Sequence, residues 1–168
     1  MTAEEAIAFL NSQAPSPAEG LPEDIFLFAS SITPLINVDL LVRDDNGRTL
    51  LAWRDDIYSG RGWHVPGGIV RFKERLESRI QQVAAHELGA RVEFDPQPLA
   101  INQLIHPSRN VRGHFLSLLY RCRLPNDFVI SNVGRTSTDP GYLQWHDACP
   151  ANLVHCHAVY RPFIGVQP

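Results

Sequence analysis

Two carboxylates bracketing a helical run, set behind a pair of glycines, are the residues of this chain best suited to chemistry. The glycines are Gly67 and Gly68, which close the apolar run Trp63-His64-Val65-Pro66. Glu74 follows on the far side of a short loop, and Glu87 comes thirteen residues later, in Glu87-Leu88-Gly89. Glycines let a backbone approach a ligand closely, and carboxylate oxygens suit hard cations. A strand, a glycine loop and a helix with an acid at each end thus form a unit fit to hold a metal-bound phosphate.

The helix can be laid out by angle, at about 100° per residue. Leu76, Ile80, Val83, Ala84 and Leu88 then share one stripe, and Glu87 falls inside it. A carboxylate there needs a strong partner, because burying an unpaired charge is costly. An arginine salt bridge and a metal ion are the two solutions. His64 lies beside the glycine loop, where it can touch a ligand or serve as a half-buried strand histidine. His86 points away from the stripe. His155-Cys156-His157 has the residue types of a metal motif, but alternating ligands on a helix diverge, so it reads as idle.

The surrounding elements must position this unit. Residues 2–10 suit a short helix, and Pro15, Pro17 and Gly20 mark the stretch after it as a flexible connection. A second helix is predicted over 22–30, opened by proline and two acids. Residues 35–42 read as a strand, Asp44-Asp45-Asn46-Gly47 as a hairpin turn, and 49–53 as the returning strand. Further strands are predicted at 99–105, 114–122 and 143–146, and a short helix at 152–163. This divides the chain into an N-terminal helix and connection (1–21) and a single domain (22–168).

Composition sets outer bounds. The 168 residues suffice for one domain with a real core. A net charge of −3 supplies no basic field for nucleic acid. No apolar run approaches the ~20 residues of a membrane span, and the acidic N-terminus does not read as a secretory signal. Cys122, Cys149 and Cys156 are odd in number and lack metal spacing, which suits reduced thiols in a cytoplasmic protein.

The Gly68, five residues, Glu74, seven residues, Gln82-Val83-Ala84-Ala85-His86-Glu87-Leu88-Gly89-Ala90 pattern resembles the Nudix box. The box arginine is replaced by Gln82, and its first two helix glutamates by Val83 and His86. Trp63 and Pro66-Gly67-Gly68 supply the family's usual entry. The reduced box, with one helix glutamate kept before Leu-Gly, is most similar to the GDP-mannose mannosyl hydrolase branch. That similarity covers residues 22–146 and includes Thr33 to Asp39, Leu50-Leu51 and Arg54.

The resemblance implies an α/β fold, an α/β/α sandwich around a mixed β-sheet. It implies a Mg²⁺-dependent hydrolase (Mn²⁺ also possible) acting on a nucleoside-diphosphate derivative, a nucleotide sugar in this branch. There a single Mg²⁺ sits on the diphosphate and water attacks sugar C1. By resemblance the Gly67 carbonyl and the Glu87 carboxylate are metal ligands, Arg54 contacts the diphosphate, Asp39 lies near the sugar, and His106 matches a binding-region histidine. The branch's metal-binding glutamine and general-base histidine fall on Asp139-Pro140. Asp139 therefore inherits the place of ligand and base, although an ordinary aspartate is a weak base. Ile69 and Gln82 stand where the branch has substrate arginines. A catalytically weak nucleotide or nucleotide-sugar binding module is the alternative. Attack at phosphorus is least favoured, because Val83 removes a carboxylate one turn before Glu87. The apolar segment Ile25-Phe26-Leu27-Phe28, together with the branch's habit, predicts a homodimer.

Overall fold

A computed structural model describes residues 1–165. Helix α1 spans Ala3–Gln13 behind a Thr2/Glu5 capping box, and α2 spans Glu23–Ile32. Strands β1 (Leu35–Val42), β2 (Thr49–Asp56), β3 (Gly60–His64) and β4 (Gly67–Ile69) precede α3 (Leu76–Val83). Strands β5 (Glu93–Phe94), β6 (Ala100–Ile105), β7 (His114–Arg123) and β8 (Leu143–His146) follow, and a 3₁₀ helix spans His155–Phe163.

The strands form two sheets. One has the order β4-β1-β7-β5, with β6 also on β7, and β1 runs parallel to β7 while the other pairings are antiparallel. The second is antiparallel, in the order β3-β2-β8. The expected mixed α/β architecture is therefore present. Its physical basis is strand alternation, since successive side chains point to opposite faces. Val38, Leu40 and Val42 of β1 and Leu50 and Ala52 of β2 pack with Ile80 and Val83 of α3. Leu41, Leu51 and Trp53 face the other way, onto Trp63, Leu119, Tyr160 and Ile164. Strands covered on both faces read as near-continuous apolar runs, as β1 does.

Most predicted elements are recovered, with three changes. The chain does turn at Asp44 to Gly47, but β1 and β2 do not pair as a hairpin: they enter different sheets and are joined by a bridge between Arg43 and Thr49. Asn152 lies in a turn and Leu153 bridges Trp63, so the C-terminal helix begins only at His155 and is 3₁₀. More consequentially, α3 stops at Val83, and a π-helical turn, Ala84–Leu88, replaces its last α turn before Gly89 closes it with φ 70°. The uniform angular layout fails over that turn. Glu87 is consequently not sealed in the apolar stripe but lies at its rim, with its side chain 19% exposed.

The loop between β4 and α3 is fastened by Glu74. Its Oε2 accepts from the Arg71 backbone N–H at 2.9 Å and from Arg79 Nε at 2.7 Å, and both side chains of the ion pair are buried. Removing one member of a buried pair leaves an uncompensated charge, at a cost of about 3–5 kcal/mol. Arg79→Met is expected to destabilise the chain by that order in urea unfolding, and Arg79→Met/Glu74→Met to recover most of the loss. Equal stability of Arg79→Met and wild type would refute the fastening role.

Candidate active site

Strand β4 carries the two glycines because neither has room for a side chain. A Cβ on Gly67 would overlap Asp39 Oδ1, and one on Gly68 would sit 2.7 Å from Val83 Cγ2. β4 thereby lies against β1 on one side and α3 on the other. Glu87 meets this strand from the π turn. Its Oε1 accepts from the Gly67 backbone N–H at 3.3 Å, and its Oε2 lies 3.2 Å from His64 Nε2. His64 in turn donates from Nδ1 to the Ala52 carbonyl at 2.8 Å and is buried. The partner that the Glu87 carboxylate required is thus His64 with a backbone amide, not an arginine.

Beside this junction lies a cavity of about 230 Å³. Asp39, Arg54, Gly67 and His106 line it, so four of the sequence-predicted site residues are brought together; Glu87 and His64 adjoin it through Gly67 and β3. Asp39 is 2% exposed. Its Oδ2 accepts from Tyr160 Oη at 2.6 Å and from Ser117 Oγ. Burial raises its pKa, the Ser117 and Tyr160 hydrogen bonds oppose the rise, and the negative charge of Glu87 adds to it. His106 is held below the ordinary histidine range, first by burial and then by the neighbouring Arg109 and His155.

Asp139 is not among the residues that line this cavity. Its carboxylate accepts from the Thr136 backbone N–H at 2.6 Å and closes its own exposed turn, while Gly141 N–H ties the end of that loop to the Trp53 carbonyl. The side chain that the resemblance placed as metal ligand or base lies outside this cavity and caps its own turn, as Asp commonly does.

Several lining residues escape a reading by motif. Tyr58, Arg109, Arg112, Cys156 and His157 all face the cavity. Arg112 adopts a left-handed backbone, φ 50°, uncommon away from glycine and asparagine. It is held there from outside: its N–H donates to Ser30 Oγ of α2 at 3.0 Å, and its guanidinium lies over the rings of Phe26 (5.4 Å) and Tyr58 (4.6 Å). Arg109 donates to the Tyr58 carbonyl. The spacing Arg109-x-x-Arg112 between Pro107 and Gly113 was the available signal, but a loop has no periodicity from which a direction can be read.

One carboxylate, a nearby backbone carbonyl and a phosphate-sized cavity suit Mg²⁺, which takes oxygen ligands and keeps several waters and substrate oxygens. Among the described residues no three of His, Cys, Asp and Glu converge on one point. The donor set therefore fits a cation held largely by ligand and water, not an all-protein cage.

No family model matches the chain. The chain is 30% identical to a low-salt glycan biosynthesis protein of Haloferax volcanii over 120 residues, 69% of this chain and 76% of that protein. It is 29% identical to a MutT-like protein of Streptomyces ambofaciens over 106 residues, spanning 63% of this chain and 58% of that relative's length. Among solved structures, a MutT Nudix hydrolase from Burkholderia pseudomallei superposes with a TM-score of 0.62 at 21% identity, covering 79% of this chain and 98% of the other. Fold, glycine loop and relatives together place the chain in the Nudix hydrolase superfamily.

The position of Glu87 generates a direct expectation. Glu87→Gln keeps the volume and removes the charge, so it should abolish Mg²⁺-dependent turnover and weaken Mg²⁺ binding, with the circular dichroism spectrum unchanged. Asp139→Asn should alter the rate by no more than about twofold, about 0.4 kcal/mol in the barrier. A large rate loss in the aspartate variant would return Asp139 to the site.

Proposed function

We propose that this Nudix protein is a Mg²⁺-dependent hydrolase of a nucleoside-diphosphate derivative, specifically a nucleotide sugar, with water attacking sugar C1 and the nucleoside diphosphate departing. One observation carries the reading. Three guanidinium groups, Arg54, Arg109 and Arg112, border one cavity with the Gly67 edge, and Asp56 is the ion-pair partner of Arg54 there, at 3.5 Å. Clustered arginines matched by so few carboxylates suit a polyanionic ligand, and their planar forks suit phosphate oxygens. They also supply what Ile69 and Gln82 lack at the positions of the branch's arginines. The name of the Haloferax volcanii relative, a glycan biosynthesis protein, agrees with a sugar-bearing substrate.

In this reading Glu87 and the Gly67 carbonyl hold the metal, whose charge stabilises the departing diphosphate. Arg54, Arg109 and Arg112 orient the diphosphate, and Asp39 lies on the sugar side. His106 replaces Asp139 as general base: its depressed pKa keeps it neutral, and hence able to take a proton, at neutral pH. The placement of Asp139 outside the cavity also favours a second reading, a binding module without turnover. A nucleotide-sugar panel with Mg²⁺ in ¹⁸O-labelled water separates the cases. Label in the sugar supports C1 attack, label in phosphate refutes it, and binding without turnover identifies a module.

A homodimer belongs to the same proposal. α1 buries none of its residues, leaving Ile7 and Phe9 exposed, and α2 exposes Phe28 and Ile32. Light scattering of the intact chain tests it, and a monomer would refute it.

If His106 is the base, the acid limb of the pH–rate profile follows its deprotonation. A depressed pKa places that limb below the ordinary value of about 6.5. His106→Gln should lower the rate by about 10²–10⁴-fold and remove the limb. A variant that keeps both would exclude this role.

A further inference from the structure

His157 lines the same cavity from the 3₁₀ helix and is 8% exposed. The backbone N–H of Val65 donates to its Nδ1 at 3.1 Å. A backbone amide only donates, so Nδ1 carries no proton, and the ring must carry its one proton on Nε2. Charging the ring would set two N–H groups against each other across that contact. The environment pushes in the same direction, because burial and the neighbouring His64 and Arg54 hold the imidazole well below its usual range. Edge contacts with Tyr160 (centroids 5.0 Å) and His64 (6.0 Å) fix the ring plane. Among the described residues the ring's hydrogen bond is the one at Nδ1, and His157 lines the cavity, so its Nε2–H is free to meet whatever occupies that space. A donor on the wall of a ligand cavity fixes the orientation of a ligand oxygen.

We propose that His157, its Nδ1 taken by the Val65 amide, gives its Nε2–H to a diphosphate oxygen of the substrate, next to Arg54. The inference rests on the nucleoside-diphosphate reading above and adds a residue to it. Arg54 lines the same cavity, and its guanidinium favours the diphosphate over the sugar as the acceptor there. A neutral donor adds a hydrogen bond without adding a fourth cation to Arg54, Arg109 and Arg112. Its protonation also does not change across neutral pH, which separates its role from that of His106.

The probe is guanosine diphosphate with Mg²⁺, titrated calorimetrically. His157→Phe fills the ring volume without either nitrogen and should weaken binding about 10- to 100-fold, the range for a hydrogen bond to a charged acceptor. His157→Gln, which can return an N–H near the Nε2 position, should restore most of the affinity. With the nucleotide sugar, KM should rise and kcat change little. In the unaltered chain, ¹⁵N spectra of labelled histidine should show Nε2 protonated and Nδ1 bare at neutral pH, and the Nε2 signal should move on binding. A merely structural histidine would not show that movement. Wild-type affinity in His157→Phe, a protonated Nδ1, or an unmoved Nε2 signal each overturns the proposal while the diphosphate reading stands. Failure of the wild type to bind guanosine diphosphate with Mg²⁺ removes both.

Discussion

The arrangement of this molecule depends on a strand with no room for side chains. Gly67 and Gly68 place β4 directly between Asp39 of β1 and Val83 of α3. Any Cβ there would push the strand away from one neighbour or the other. Because the strand is so close, a backbone amide, that of Gly67, can meet the Glu87 carboxylate, and His64 at the end of β3 in the other sheet can meet its other oxygen. The π turn completes the fit. It rotates Glu87 from the apolar stripe to the rim, where a carboxylate can face both the protein and a ligand. π turns recur at functional sites, and here the reason is visible in one residue's direction.

Charge is distributed unevenly around the cavity, and the unevenness has a logic. The carboxylates Asp39 and Glu87 lie on the glycine side, where Asp39 is held by the Ser117 and Tyr160 hydroxyls. The guanidinium groups that line the cavity come from β2 and the β6–β7 loop. Groups that suit a cation and groups that suit an anion thus border one space, as the metal-bound diphosphate of the proposed reaction would require.

The N-terminal helices take part in this geometry through α2. Phe26 and Ser30 hold Arg112 in its left-handed backbone and aim its guanidinium at the cavity wall. Non-glycine residues with positive φ persist where their surroundings determine them, and clusters of such strain mark functional sites. α2 thus buttresses a residue that lines the site without lining it itself.

Much of the fold was legible in the residues themselves. The apolar run of β1, the turn at Asp44 to Gly47, and the proline and acids opening α2 are local, and local signals survive in sequence; that this turn passes the chain from one sheet to the other instead of closing a hairpin was not legible. The glycine loop was legible too, because close approach of a backbone admits few alternatives to glycine. Arg54, Asp39, Gly67 and His106 were found through their motif and meet at one cavity. Other features were decided only by tertiary packing. The partner of Glu87 comes from a different strand, and a π turn, not a uniform helix, sets its direction. Asp139 sits in the chain where a ligand and base belong, yet its loop is tied to Trp53 and its carboxylate is consumed by its own turn. Arg109, Arg112 and His157 lie far apart in sequence from the glycine loop and become neighbours of it only when β6, β7 and the 3₁₀ helix close around one space. Sequence spacing fixes which residues can act within a single element. Which side chains from separate elements share a cavity depends on how the elements pack, and their order along the chain does not encode that.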